Sequence, residues 1–96
     1  MVTKTIFKTK DYSKVKFTYD DTTAESVKIL GLNNDWNSPV EMSKKKDGTF
    51  STEVSLPKNT QHEFKYLVND SVWVNEPEAD AQADNGFGET NSVINL

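Results

Sequence analysis

The stretch DGTFSTEVSLPKNTQHEFKYLVNDSVW, Asp47 to Trp73, decides the fold. Within it Phe50, Thr52, Val54 and Leu56 alternate with Ser51, Glu53 and Ser55, and Phe64, Tyr66 and Val68 alternate with Lys65 and Leu67. A period of two sends successive side chains to opposite faces, so each run reads as a strand with one face on a core. The breaks carry turn chemistry. Asp47-Gly48 suits a tight hairpin because glycine accepts positive φ. Pro57 closes a strand because it cannot donate to a central ladder. Asn69-Asp70-Ser71 reads as a second hairpin turn, leading into Val72, Trp73 and Val74.

Outward from this stretch the same period recurs. Val15, Phe17 and Tyr19 alternate with Lys14, Lys16 and Thr18, and Val27 and Ile29 alternate with Ser26 and Lys28. Thr5-Ile6-Phe7 adds an edge strand, and Val93 lies in a closing run near the C-terminus. Gly31 to Pro39 and Asn75 to Gly88 read as longer polar loops, and no repeat, low-complexity segment or helical periodicity interrupts the pattern. Short antiparallel strands at this spacing predict an all-β sandwich, with a small barrel as the structural competitor.

The 96 residues are one domain's worth of chain, read as a single unit over 1–96. A net charge of -4 argues against nucleic acid and anionic membranes as partners. The N-terminal run from Met1 to Lys8 lacks the apolar core of a signal peptide, which predicts a cytoplasmic location. With no cysteine there is no disulfide, thiolate metal site or cysteine nucleophile.

Catalytic constellations are not evident. The single histidine, His62, reads as a surface residue or one at the start of a strand; nothing marks Ser51, Ser55 or Asp70 as activated partners for it. Glu76, Glu78, Asp80 and Asp84 read as a solvated acidic loop. They match neither a walled carboxylate pair nor a calcium loop with its central glycine and terminal glutamate. Lys44-Lys45-Lys46 reads as a charged strand end that discourages edge-to-edge pairing. The chain is therefore expected to be no enzyme, with no cofactor and no metal.

The two tryptophans carry more information. Trp73 has opposite parity to Val72 and Val74, so if the valines face the core it faces out. Trp36 sits among Asn33, Asn34, Asp35 and Asn37. Parity leaves two readings open for each ring, an exposed binding surface or a cap on the core edge. Lys65 points away from the face of Phe64 and Tyr66 and can share an outward surface with Trp73. Flat rings beside hydrogen-bonding groups suit a sugar, whose C–H face stacks on a ring while its hydroxyl edge seeks amides and charges. Asn91 could supply such a group, although similar surfaces also bind proteins.

Four segments, VKILGLNNDW (27–36), DGTFSTEVSL (47–56), EFKYLVNDSVW (63–73) and NGFGETNSVI (85–94), in that order and spacing, resemble carbohydrate-binding module family 48, the isoamylase early-set domains. That family includes the glycogen-binding domain of the AMP-activated protein kinase β subunit. The resemblance covers residues 14–96, and the chain looks like short bacterial stand-alone members with an extra N-terminal strand at 3–10. It implies an immunoglobulin-like β-sandwich that binds α-1,4-glucans such as glycogen or starch without catalysis. It further implies that Trp36 and Trp73 embrace the glucan and that Lys65 contacts it. Phe87 stands where the family has a leucine wedge, and Glu89 and Asn91 stand where it has a hydroxyl-bonding threonine and asparagine. The Asn69–Val72 turn is one residue longer than in the kinase domain. The alternative is an interaction domain that keeps the fold without the sugar and meets a protein partner, such as a glycoside hydrolase or another glucan-metabolising enzyme.

Overall fold

A computed structural model describes residues 1–86 and 88–96. Among them are ten strands: β1 (Val2–Ile6), β2 (Tyr12–Asp20), β3 (Val27–Leu30), β4 (Val40–Glu41), β5 (Ser43–Lys44), β6 (Thr49–Pro57), β7 (Gln61–Val68), β8 (Val72–Val74), β9 (Ala81–Asp84) and β10 (Thr90–Asn95), with a 3-10 turn at Leu32–Asn34. They form two antiparallel sheets. One runs β1-β2-β6-β5; the other runs β4-β3-β7-β10-β9, with β8 also paired to β7. Two separate sheets make a sandwich rather than a closed barrel, in the immunoglobulin-like arrangement of early-set domains.

The predicted alternation sets the packing. In the first sheet Val15, Phe17, Phe50 and Leu56 point inward and are buried; in the second Val27, Ile29, Phe64, Tyr66 and Ile94 do the same. Phe17 and Phe64 meet edge to face across the sandwich with ring centroids 5.2 Å apart. Each fully buried phenylalanine contributes about 1.5–3 kcal/mol relative to an exposed one. Hairpins fall where the turn residues stand. The Lys45–Gly48 turn joins β5 to β6, with Gly48 at φ 90, and Asn69 and Asp70 adopt φ 52 and 56 between β7 and β8.

Three features depart from the sequence reading. The polar run from Asn75 to Gly88 is not all loop, because Ala81–Asp84 forms β9. That segment lacks β-branched residues; pairing with β10 (Gln82 opposite Ser92, Ala83 opposite Asn91) recruits it, and tertiary context overrides propensity. The N-terminal strand lies at a sheet edge as expected but ends at Ile6. Beyond it Lys10 Nζ sits over the rings of Phe7 and Tyr12 at 5.3 and 5.4 Å.

The acidic segment is the third. Glu78, Asp80 and Asp84 are exposed, but Glu76 is fully buried and not solvated. Its Oε1 accepts from the Tyr66 hydroxyl at 2.9 Å and from the Met1 ammonium, and its Oε2 accepts from the Glu78 N–H at 2.9 Å. Three converging donors offset the cost of taking the carboxylate out of water. Burial and the adjacent carboxylate together push the Tyr66 hydroxyl well above its ordinary pKa.

Candidate functional site

An open groove of about 420 Å³ is lined by Trp36, Lys65, Trp73, Asn85, Glu89 and Asn91. Strand register explains the convergence. On β7, Phe64 and Tyr66 are fully buried in the core, so Lys65 and Leu67 take the outer face. Trp73 stands opposite Leu67 on β8 and shares that face, 48% exposed. Val74, its neighbour, packs on the core, whereas Val72, opposite the buried Val68 on the same face, is left exposed at the start of the strand. On β10, Ser92 pairs with the inward Phe64, which turns Asn91 outward beside Glu63 and Lys65.

Polar groups of the groove are already engaged in hydrogen bonds. Lys65 Nζ donates to Glu89 Oε2 at 3.1 Å, pairing a side chain only 9% exposed with one 69% exposed. Asn91 Nδ2 donates to Glu63 Oε1 at 3.3 Å. The outward direction expected of Lys65 holds, but the groove walls cover it: its stem forms floor and its ammonium supplies a fixed charge. Asn85 and Glu89 belong to the connection from β9 to β10, closed by the Asn85 N–H donating to the Glu89 carbonyl at 3.0 Å.

Trp36 follows the 3-10 turn and reaches the groove through a local device. Gly31, at φ 105, donates its N–H to the Asp35 carbonyl at 3.0 Å, closing a tight loop. The Asp35 carboxylate accepts from the Asn37 and Ser38 amides at 3.0 and 3.1 Å, which holds its carboxyl below the usual range. The indole then lies on the bare α-carbon of Gly31.

His62 anchors this loop. It stands at the start of β7, as one expectation had it, but is buried rather than on the surface. Nδ1 accepts the Asn33 N–H at 3.1 Å, so the neutral ring carries its proton on Nε2, which faces Thr60 Oγ1 at 2.8 Å. Thr60 Oγ1 in turn donates to the Pro57 carbonyl at 2.6 Å. Burial lowers the His62 pKa and favours this neutral, bridging form.

Five of the six residues singled out in the sequence, Trp36, Lys65, Trp73, Glu89 and Asn91, line this groove together. The sixth, Phe87, lies outside the described residues. Sequence reading missed Asn85, although Asn85-Gly86 is a hairpin dipeptide that could have flagged it. It also missed the scaffolding role of His62. The groove offers aromatic faces, an ammonium, a carboxylate and amides, a set suited to stacking and hydrogen bonding. Among the described residues no cluster of three His, Cys, Asp or Glu is arranged to hold a metal, and no helix is long and apolar enough to cross a membrane.

Residues 13–96 match the family described as the glycogen recognition site of AMP-activated protein kinase. No curated protein gives a significant sequence match. Solved structures share the fold at low identity. The enterobactin esterase FES from Shigella flexneri matches with a TM-score of 0.74 at 11% identity, over 99% of this chain and 32% of that one. The catalytic module of the glycogen-degrading pneumococcal virulence factor SpuA matches with a TM-score of 0.70 at 15% identity, over 98% of this chain and 16% of that one. The Group B Streptococcus pullulanase SAP gives a TM-score of 0.70 at 15% identity, over 97% and 14%. The chain thus spans a third or less of the length of these proteins.

Proposed function

The chain belongs to the glycogen-recognition family matched above, and from that membership we propose that it is a non-catalytic module binding α-1,4-linked glucans such as glycogen or starch. Trp36 and Trp73 stack on the apolar faces of glucose rings. Lys65, Glu89 and Asn91 bond to the hydroxyl edges, with Phe87 as an apolar contact. The observation that carries the reading is the convergence of two indoles, one ammonium and one buried amide on a single open groove, drawn from four separate segments of chain. An open groove buries little of its ligand, so affinity falls on the order of micromolar to millimolar.

Titration of isotope-labelled protein with maltoheptaose, followed by amide NMR, tests this. Shifts centred on both indole N–H signals, Lys65 and Asn91 support the assignment. A well-dispersed spectrum that does not move at millimolar sugar overturns it and redirects attention to protein partners.

A further inference from the structure

Trp36 and Asn91 each line a second groove, of about 220 Å³, whose other walls include Asn34, Gln61 and Glu63. The two grooves thus share an aromatic wall and a floor residue. We propose that this second groove is an extension subsite for the same polymer, holding the glucose units that continue past the ring stacked on Trp36. The proposal rests on the glucan reading of the first groove.

The lining selects the occupant. Among the described residues no lysine or arginine lines the second groove, and Glu63 adds a negative charge, so an anionic ligand is disfavoured. Its amides offer donors and acceptors together, matching hydroxyls that do both. Gln61 Nε2 donates to Asn95 Oδ1 at 2.8 Å, which fixes the amide plane while leaving it a second N–H and a carbonyl oxygen to offer. Asn34 is exposed on the 3-10 turn that His62 anchors, at φ 58. Asn91, only 9% exposed, sits where the grooves join, so a chain crossing it passes one fixed amide between two polar walls. Polymer chemistry supplies the continuity: a linear glucan bound by one ring must run on, and here it runs over groups that can receive it.

The test is calorimetric titration of maltotriose and maltoheptaose into the wild type and the variants Gln61→Ala and Asn34→Gly, with Trp36→Ala as reference. Neither Gln61 nor Asn34 lines the first groove, and glycine at 34 keeps the left-handed backbone. Each variant should weaken maltoheptaose binding roughly three- to tenfold, the range of one lost hydrogen bond, and leave maltotriose within about twofold. Unchanged maltoheptaose affinity in both variants overturns the extension subsite. So does equal weakening at both lengths, which would mean the substitutions act by displacing Trp36. In either case a loss of binding in Trp36→Ala would leave the first groove standing. Failure of the wild type to bind either sugar removes the glucan reading itself, and the extension with it.

Discussion

Gly31 and Trp36 are mutually dependent: a β-carbon built on Gly31 would stand 2.6 Å from Trp36 Cζ2 and 2.5 Å from the Glu63 carbonyl oxygen. The indole can lie where it does only because the residue beneath it has no side chain. Its backbone, at φ 105, is one that other residues rarely adopt. Gly31→Ala should therefore cost about 2–4 kcal/mol, from backbone strain and overpacking together. It should also displace Trp36 from the groove. Urea unfolding reads the first effect and maltoheptaose titration the second; wild-type values in both would show that the contact is slack.

The two tryptophans should separate in their effects on stability. Trp73 is 48% exposed, so Trp73→Ala should change stability by no more than about 1 kcal/mol while lowering glucan affinity tenfold or more. Trp36→Ala should lower affinity similarly and also loosen the loop that rests on Gly31. Thermal melts beside each titration distinguish the cases. A Trp73→Ala protein that no longer folds would assign that ring to the core instead.

Lys65 and Glu89 make an ion pair inside a site proposed for a neutral ligand. Lys65→Met keeps the stem that floors the groove and removes the ammonium; affinity should fall about tenfold, the cost of a charged hydrogen bond. Glu89→Gln retains groups able to meet a hydroxyl and should stay within about threefold. Binding to the wild type should vary by less than about twofold between low and moderate salt, because screening acts between charges and the sugar has none. A steep salt dependence in the titrations would point to a charged partner.

Stability should fall in two steps on acidification. The folded-state pKa of His62 lies below its ordinary value of 6.5, so the unfolded chain binds the extra proton first. That contribution is complete above about pH 6.5 and is lost as pH falls below it. Asp21, Asp35, Asp47 and Asp80 all have carboxyls held below the ordinary 3.8 by hydrogen bonds. Their contribution is present above about pH 4 and is lost as pH falls through the lowered values. His62→Gln should abolish the upper step and cost about 1–3 kcal/mol at pH 7, since it disturbs the bond to the Asn33 amide. Chemical denaturation at a series of pH values checks both; a wild-type curve flat from pH 7 to 5 would contradict the buried neutral ring.

The alternation of Phe50 through Leu56 and Phe64 through Val68 was legible because strand parity is a local property that burial then enforces. The same parity predicts an outward Lys65 outright and an outward Trp73 on condition that its flanking valines face the core. What escaped depends on partners distant in sequence. Ala81–Asp84 becomes a strand only beside β10, the buried Glu76 depends on donors from Tyr66 and Met1 as well as the nearby Glu78 amide, and His62, inward by the parity it shares with Phe64, finds its partner in the Asn33 amide. The conjunction of Trp36 with the other groove residues likewise came from family resemblance rather than from periodicity, since a polar loop carries no period.

Four of the groove's residues refer back to one strand. Lys65 lies on β7, Trp73 follows it in the hairpin, Trp36 rests on Gly31, which itself lies beside the Glu63 carbonyl, and Asn91 is carried by the neighbouring β10. With β3 on one side and β10 and β8 on the other, β7 is interior to its sheet. Amide hydrogen exchange along β7 is therefore expected to proceed through opening of the sheet. An occupied groove would then retard exchange at Phe64 and Tyr66, residues on the opposite face that no ligand can touch.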